Sequence, residues 1–290
     1  MKSRNLSIII PFYRGENFIK RCLENIYTNT TGNFEVIISS DGFDSRDFLF
    51  YIKEKFDVKV IMNPRGGFAQ TCNRGAEISK GENLVFLNQD VFVGENWNEP
   101  VLYLLQKEYV GAVGIKLLYE DKKIQHAGIC FNIFSEPIHI YRKKESSFIS
   151  ANKEREFQAV TGTVLGIRKE VFEKIKFSTD YFFSCEDLDL CLRIRKAGMK
   201  VIYTPYSYGI HLESSSEKSE HIDKIRRSAL KKFIARWRKY IEKDEFKKYI
   251  EDGEFRILLK RIFTYTFRII FSFPEYLFPT KENNAQSYLS

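Results

Sequence analysis

Between residues 6 and 90 this chain alternates short apolar runs with longer stretches whose apolar residues recur at helical spacing. Residues 6–11 (LSIIIP), 34–39 (FEVIIS), 58–62 (VKVIM) and 84–87 (LVFL) are too short for helices and rich in β-branched or aromatic residues. Residues 16–27 set Phe18, Ile19, Cys22, Leu23 and Ile26 on one helical face, and residues 45–56 and 68–79 suit two more helices. Strands separated by helices cannot pair as hairpins, so the pattern predicts βαβ units and a sheet that is parallel in its first half. The fold class expected is α/β.

The fourth apolar run ends in Asn88-Gln89-Asp90. In open α/β sheets ligands bind beyond the carboxyl ends of the strands, where an acid holds a divalent cation against a substrate phosphate; the alternative is an Asp that caps a turn. Asp41 carries the same two readings, nucleoside contact or turn opening before Gly42. The segment Asn63-Pro-Arg-Gly-Gly67 is basic, glycine-rich and precedes a helix, so it suits close approach to a diphosphate, although it matches neither G-x-G-x-x-G nor the P-loop.

Further along, residues 97–105 read as a helix, 110–118 as a strand, 119–158 as irregular, 158–167 as a strand, 168–175 as a helix and 201–204 as a last short strand. His126 and His139 fall in the irregular stretch, where a hydrogen-bonded structural role is the default. In Ser184-Cys-Glu-Asp-Leu-Asp-Leu-Cys-Leu-Arg193 the helical pattern begins at two adjacent acids, Glu186 and Asp187. One reading is a capping box from Ser184 to Asp187, with Asp189 paired to Arg193 and Gly198 at the C-terminus. The other is that the acid pair supplies a general base beside the sheet edge.

Charge separates the chain into two parts. The total is 46 Lys/Arg against 38 Asp/Glu, a net +8, and residues 218–271 hold 16 against 8, which accounts for the excess. A nearly neutral body with a basic tail points to a membrane surface or another anionic partner, or to oligomer contacts, rather than to a nucleic-acid-binding body. Residues 222–250 read as a basic amphipathic helix. Residues 255–278 read as a second one, whose Arg256, Lys260, Arg261 and Arg268 fall within about 140° on a helical wheel, a pattern for lying in a membrane interface; packing on the body is the alternative. No apolar stretch reaches the roughly 20 residues needed to cross a bilayer, and no leader is visible. The five cysteines lack C-x-x-C spacing, so neither a zinc site nor a disulfide framework is expected and a cytoplasmic location fits.

Taken together and in order, Ser7-Ile-Ile-Ile-Pro-Phe-Tyr13, Asp41-Gly42, residues 63–75, residues 81–90, Thr161-Gly162, residues 186–193 and His211 resemble the family-2 glycosyltransferases, with the bacterial rhamnosyltransferase-like members most similar. The resemblance spans residues 1 to about 215. It implies a glycosyltransferase A-type fold, a Rossmann-like mixed sheet flanked by helices, here with a helical extension over 216–290. It also implies an inverting enzyme that moves a sugar from a nucleotide-sugar donor to a hydroxyl of a glycan or lipid-linked acceptor in surface polysaccharide synthesis, at the inner membrane face. On it, Pro11, Tyr13, Asp41, Arg65, Asn73, Gln89 and Asp90 would contact the donor. Asp90 and His211 would bind Mg²⁺ or Mn²⁺, and Asp187, beside Glu186, would be the catalytic base. Asn88 departs from the family's D-x-D motif at its first acid, and Ser40 stands where many relatives have an acid. A sugar nucleotidyltransferase and a non-catalytic carbohydrate-binding scaffold are the competing readings.

Overall fold

A computed structural model describes residues 5–42, 46–213 and 220–271. Ser45, the boundary at 215/216, and residues 272–290 with the last turns of the second tail helix lie outside the described residues. The first half runs β1 (Leu6–Phe12), α1 (Glu16–Asn29), β2 (Phe34–Asp41), α2 (Arg46–Lys55), β3 (Val58–Asn63), α3 (Gly67–Glu77) and β4 (Asn83–Leu87). These four strands are parallel, in the order β3-β2-β1-β4. The chain therefore winds outward from β1 to β3 and then returns to the other side of β1. That reversal opens a crevice beyond the carboxyl ends of β1 and β4, where neighbouring connections leave in opposite directions.

Strand alternation builds the two faces. Ile8 and Ile10 pack on one side with Ile19 and Leu23 of α1 and Ile52 of α2, while Ile9 and Ile37 face Cys72 and Ala76 of α3 on the other. All of these side chains are buried.

The second half adds β5 (Val91–Val93), α4 (Asn98–Leu105), β6 (Val110–Leu118), β7 (Ile124–His126), β8 (Ile129–Phe131), β9 (Pro137–His139), β10 (Arg155–Phe157), β11 (Val164–Arg168), α5 (Lys169–Ile175), α6 (Glu186–Lys196) and β12 (Lys200–His211). β11 runs antiparallel between β4 and β6, β12 pairs parallel with β6, and β10 closes the edge, so the sheet is mixed. Residues 119–158 are not irregular throughout: β7 extends the sheet and β8 with β9 forms a hairpin. The expected strand over 158–167 is confined to β11, because Gly162 and Thr163 form a turn ahead of it. The strand expected at 201–204 runs on to His211, its second part paired with β5 and, past a register shift, with the end of β6.

The tail is three helices, α7 (Glu220–Trp237), α8 (Glu245–Glu251) and α9 (Phe255–Phe271). The single helix expected over 222–250 is interrupted because the body captures its backbone. Gln158 hydrogen-bonds both the N–H and the carbonyl of Glu242, at 2.9 and 2.6 Å, and Asp244 accepts from the Phe131 N–H at 2.9 Å. Tertiary bonds here outcompete the local ladder. Phe233 stacks on Phe131, Trp237 donates its indole N–H to Asp189 at 2.9 Å, and Arg268 pairs with Glu136 at 2.7 Å. Among the described residues no helix is long and apolar enough to cross a membrane.

Candidate functional site

Two adjoining cavities occupy the crevice. The first, about 390 Å³, is lined by Pro11, Tyr13, Asp41, Arg65, Gln89 and Asn88 among others. The second, about 230 Å³, contains Asn88, Thr161, Gly162, Glu186, Asp187 and His211. Asn88, Phe68 and Phe183 belong to both, so the four-stranded half and the start of α6 meet across one wall.

In the first cavity Asp41, at the end of β2, accepts the backbone N–H groups of Gly66 and Gly67 at 2.6 and 3.1 Å. Through that one carboxylate oxygen it holds the Asn63–Gly67 loop, and it also lines the cavity. Gly67 is at φ +79°, and a Cβ there would lie 2.3 Å from the Phe182 carbonyl, so the loop closes this tightly only with glycine. The guanidinium of Arg65 sits 3.7 Å above the Tyr13 ring, which fixes a cation at the cavity wall. Gln89 is buried; its amide donates to the Arg14 carbonyl, and its Oε1 has no hydrogen-bond partner among the described residues. Asn73 lies elsewhere. Its carboxamide bonds both the N–H and the carbonyl of Phe177, at 3.0 and 2.9 Å, which ties α3 to the segment after α5 and keeps it out of either cavity. As a donor contact Asn73 is corrected to a structural clamp.

Asp90 is fully buried, and its Oδ1 lies 3.3 Å from His211 Nε2, brought there by the β5–β12 pairing. Gln125 fixes the imidazole: its amide nitrogen donates to Glu213 at 2.9 Å, so its oxygen faces His211 Nδ1 at 2.8 Å and accepts its proton. With Nδ1 facing Gln125, Nε2 faces the Asp90 carboxylate, and the two atoms stand side by side as a pair of potential metal donors. Adjacent ligands of an octahedral ion bound at about 2.1 Å are about 3 Å apart, and a ligating histidine ordinarily donates its other N–H, as here. The donor set therefore fits a small divalent ion with two protein ligands. Among the described residues no cluster of three or more His, Cys, Asp or Glu is present, which leaves the other positions to phosphate and water.

The capping box is absent. Ser184 and Cys185 both adopt left-handed backbone, at φ 79° and 72°, and no side chain caps α6. Asp187 instead accepts the N–H of Gly162 at 2.7 Å and of Leu188 at 2.8 Å. A Cβ on Gly162 would stand 3.0 Å from that of Asp187, so glycine permits the approach. Two consecutive left-handed residues set the acid pair at the edge of the second cavity at a cost in backbone strain.

Burial pushes both carboxyls of the pair upward. Glu186 is pushed up to about 8, by burial first and then by Asp187. Burial also raises Asp187, while the N–H donors of Gly162 and Leu188 oppose that rise and favour its charged form. Asp189, two residues on, is spent structurally on Arg193 at 2.7 Å, as its i,i+4 spacing implied, and on Trp237. Residues that the sequence did not assign to the site also line the second cavity: Gln125, the His126–His139 pair with Nδ1 atoms 3.0 Å apart, for which a structural role was the default, and Arg226 from the tail. Of these, only the two histidines stood out in the sequence, as polar residues in an otherwise irregular stretch.

An open mixed sheet with its crevice divided in this way, one wall carrying an acid after β4 and the other an acid pair opening a late helix, is the glycosyltransferase A-type fold. The chain belongs to glycosyl transferase family 2, whose model matches residues 7–176, and the model of glycosyl transferase family group 2 matches residues 124–274. Relatives include an uncharacterized protein of Sinorhizobium fredii, 31% identical over 74% of this chain and 25% of its own length, and the O-antigen biosynthesis protein RfbC of Myxococcus xanthus, 28% identical over 75% and 18%. Rhamnosyltransferase WbbL of Escherichia coli is 25% identical over 73% of this chain and 85% of its own. The chain spans a quarter or less of the first two relatives. Among solved structures, GalNAc-T7 with UDP, GalNAc and Mn²⁺ superposes with a TM-score of 0.65 over 87% of this chain and 51% of its own, at 18% identity. The mannosyltransferase PcManGT of Pyrobaculum calidifontis, with GDP-Man and Mn²⁺, gives 0.59 over 83% and 66%, at 17% identity.

Proposed function

We propose that this chain is an inverting glycosyltransferase that moves a sugar from a nucleotide-sugar donor to a hydroxyl of a glycan or lipid-linked acceptor in surface polysaccharide synthesis. The observation that carries the reading is the acid pair in the second cavity: Asp187 accepts two backbone N–H groups, which favour its charged form, beside Glu186, which burial pushes upward. A single base facing a separate donor cavity suits one displacement, hence inversion.

In this reading the nucleoside diphosphate lies in the larger cavity. Asp41 meets the base end with its remaining oxygen, Arg65 and the Gly66–Gly67 loop stand beside the diphosphate, and Pro11, Tyr13 and Gln89 shape the walls. Asp90 and His211 would hold Mg²⁺ or Mn²⁺, which when bound offsets the negative charge that builds on the departing diphosphate. The two solved relatives named above contain Mn²⁺ with a nucleotide or nucleotide sugar, which supports that assignment. Asp187 takes the acceptor hydroxyl proton as that oxygen attacks the anomeric carbon from the face opposite the leaving phosphate. Residues 1–215 are the catalytic unit and 216–290 the extension toward the acceptor and the inner membrane face. The O-antigen and rhamnosyltransferase relatives favour a surface glycan as product.

A panel of nucleotide sugars incubated with the full chain and Mn²⁺ tests this. Slow hydrolysis of one donor, dependent on Asp187, is expected; pyrophosphate-dependent donor synthesis, or silence across the panel, would overturn it.

A further inference from the structure

A third cavity, about 440 Å³, lies between β9, the segment after it and helices α8 and α9. Its lining carries five cations, Arg142, Lys144, Arg256, Lys260 and Arg261, and no carboxylate. Two of the five are tied down: Arg142 to the Tyr119 hydroxyl and, at 3.6 Å, to Glu213, and Arg261 to Glu245 at 2.6 Å. Among the described residues Lys144, Arg256 and Lys260 have no carboxylate partner, so the cavity keeps a net positive field aimed at an open space. Arg256 also sits in the first turn of the 17-residue α9, where the helix dipole adds to that field. His139 lines this cavity and also the one that holds Asp187, so the two are neighbours.

The same helix is apolar on its outer side. Leu258, Arg261, Tyr265 and Arg268 turn toward the protein, two of them in the ion pairs to Glu245 and Glu136. Phe255, Leu259, Ile262, Phe263, Phe267 and Ile270 occupy the opposite arc and are 40–73% exposed. Half of the cations expected to face a membrane thus face the protein, and it is the hydrophobic stripe, edged by Arg256 and Lys260, that faces out. A stripe of this kind beside a basic margin matches the apolar interior and anionic headgroups of a lipid leaflet.

We propose that the cationic cavity is the binding site for a phosphate or diphosphate ester on a lipid, with the α9 stripe seated in the same leaflet. This deepens the reading above by naming the acceptor class: a membrane-anchored phospho- or diphospholipid whose glycan end reaches Asp187 past His139.

Flotation of the full chain with phosphatidylcholine vesicles, with and without phosphatidic acid, tests it at low salt, using Arg256→Glu/Lys260→Glu and Phe263→Asp/Phe267→Asp alongside the native chain. The native chain is expected to partition onto the anionic vesicles, with about a fivefold loss per unit of charge removed in the first variant and comparable loss in the second. Partition equal on both vesicle types and unmoved by charge reversal would overturn the phosphate site. Binding of free inorganic pyrophosphate without vesicle binding would overturn the lipid source. A concentration-dependent dimer that loses its self-association in Phe263→Asp/Phe267→Asp, with no flotation, would assign the stripe to a second copy and overturn it as well. Donor hydrolysis is read in parallel: both variants retain it under this proposal. Its absence from the native chain would remove the transferase reading while leaving the flotation result intact.

Discussion

Glu35 and Glu186 are both carboxylates withdrawn from water, 3% and 7% exposed, near opposite ends of one sheet, and their surroundings could hardly differ more. Glu35 lies near the start of β2. Burial alone would raise it, but Lys59 at 2.6 Å, the Ser7 hydroxyl at 2.6 Å and the Lys80 N–H at 2.5 Å outweigh that and hold it at about 2. Glu186, at the crevice, has an Oε2 with no hydrogen-bond partner among the described residues and is pushed up to about 8. One end of the sheet satisfies its buried acid and is stable for it; the other leaves its acid pair half-satisfied, next to two residues of left-handed backbone. Stability and chemistry have been assigned to different ends, and the crevice is where the fold tolerates cost.

The sharpest way to break this contrast is Asp187→Asn. Transfer should fall about 10³-fold, the scale of a lost general base, while donor affinity in a direct titration stays within a few-fold. A large loss of donor binding would move Asp187 to a binding role. In the native enzyme kcat/KM should decline on the acid side at a pH above the ordinary aspartate value of 3.8, because burial raises Asp187.

Glu186→Gln tests the cost itself. Glu186 binds its proton more tightly folded than unfolded, so it subtracts from stability increasingly as pH rises from 4.5 toward 8. The variant should gain about 3 kcal/mol over the native chain between pH 5 and pH 8 in urea unfolding. Parallel pH dependence in the two proteins would show that Glu186 is solvated after all.

Asp90→Asn, or chelation of divalent ions, should lower kcat/KM about 10²-fold, with Mn²⁺ titration no longer restoring the variant. Metal-independent turnover would leave Asp90 and His211 as a structural contact only.

Glu35→Gln carries the smallest effect and the opposite pattern. Stability should drop by about 2 kcal/mol near neutral pH with kcat unchanged. Because Glu35 is held low, its contribution is present above pH 4.5 and disappears as pH falls toward 2, so the two proteins should converge in acid. Lost activity in a folded Glu35→Gln would mean that the two ends are coupled.

The local pattern was sufficient for the first four strands, their helices and the positions of Asp41, Asp90 and Asp187 at element ends. Burial of a βαβ unit demands apolar runs of strand length and helical stripes, and these are written in consecutive residues. It was insufficient for Asn73, which looks like a loop-edge polar residue until Phe177, over a hundred positions away, occupies its carboxamide. The break between α7 and α8 has the same origin, since Gln158 and Phe131 hold it open from another part of the chain. Residue types and periodicity thus settle which segments become strands and helices and which acids stand at their ends, because those depend on near neighbours. How strongly burial raises each acid of the pair, whether His211 meets Asp90, and which side of α9 faces outward were decided only when distant segments packed together. Each of these turns on the solvent and hydrogen-bond partners that remain after folding, and no stretch of sequence contains its own surroundings.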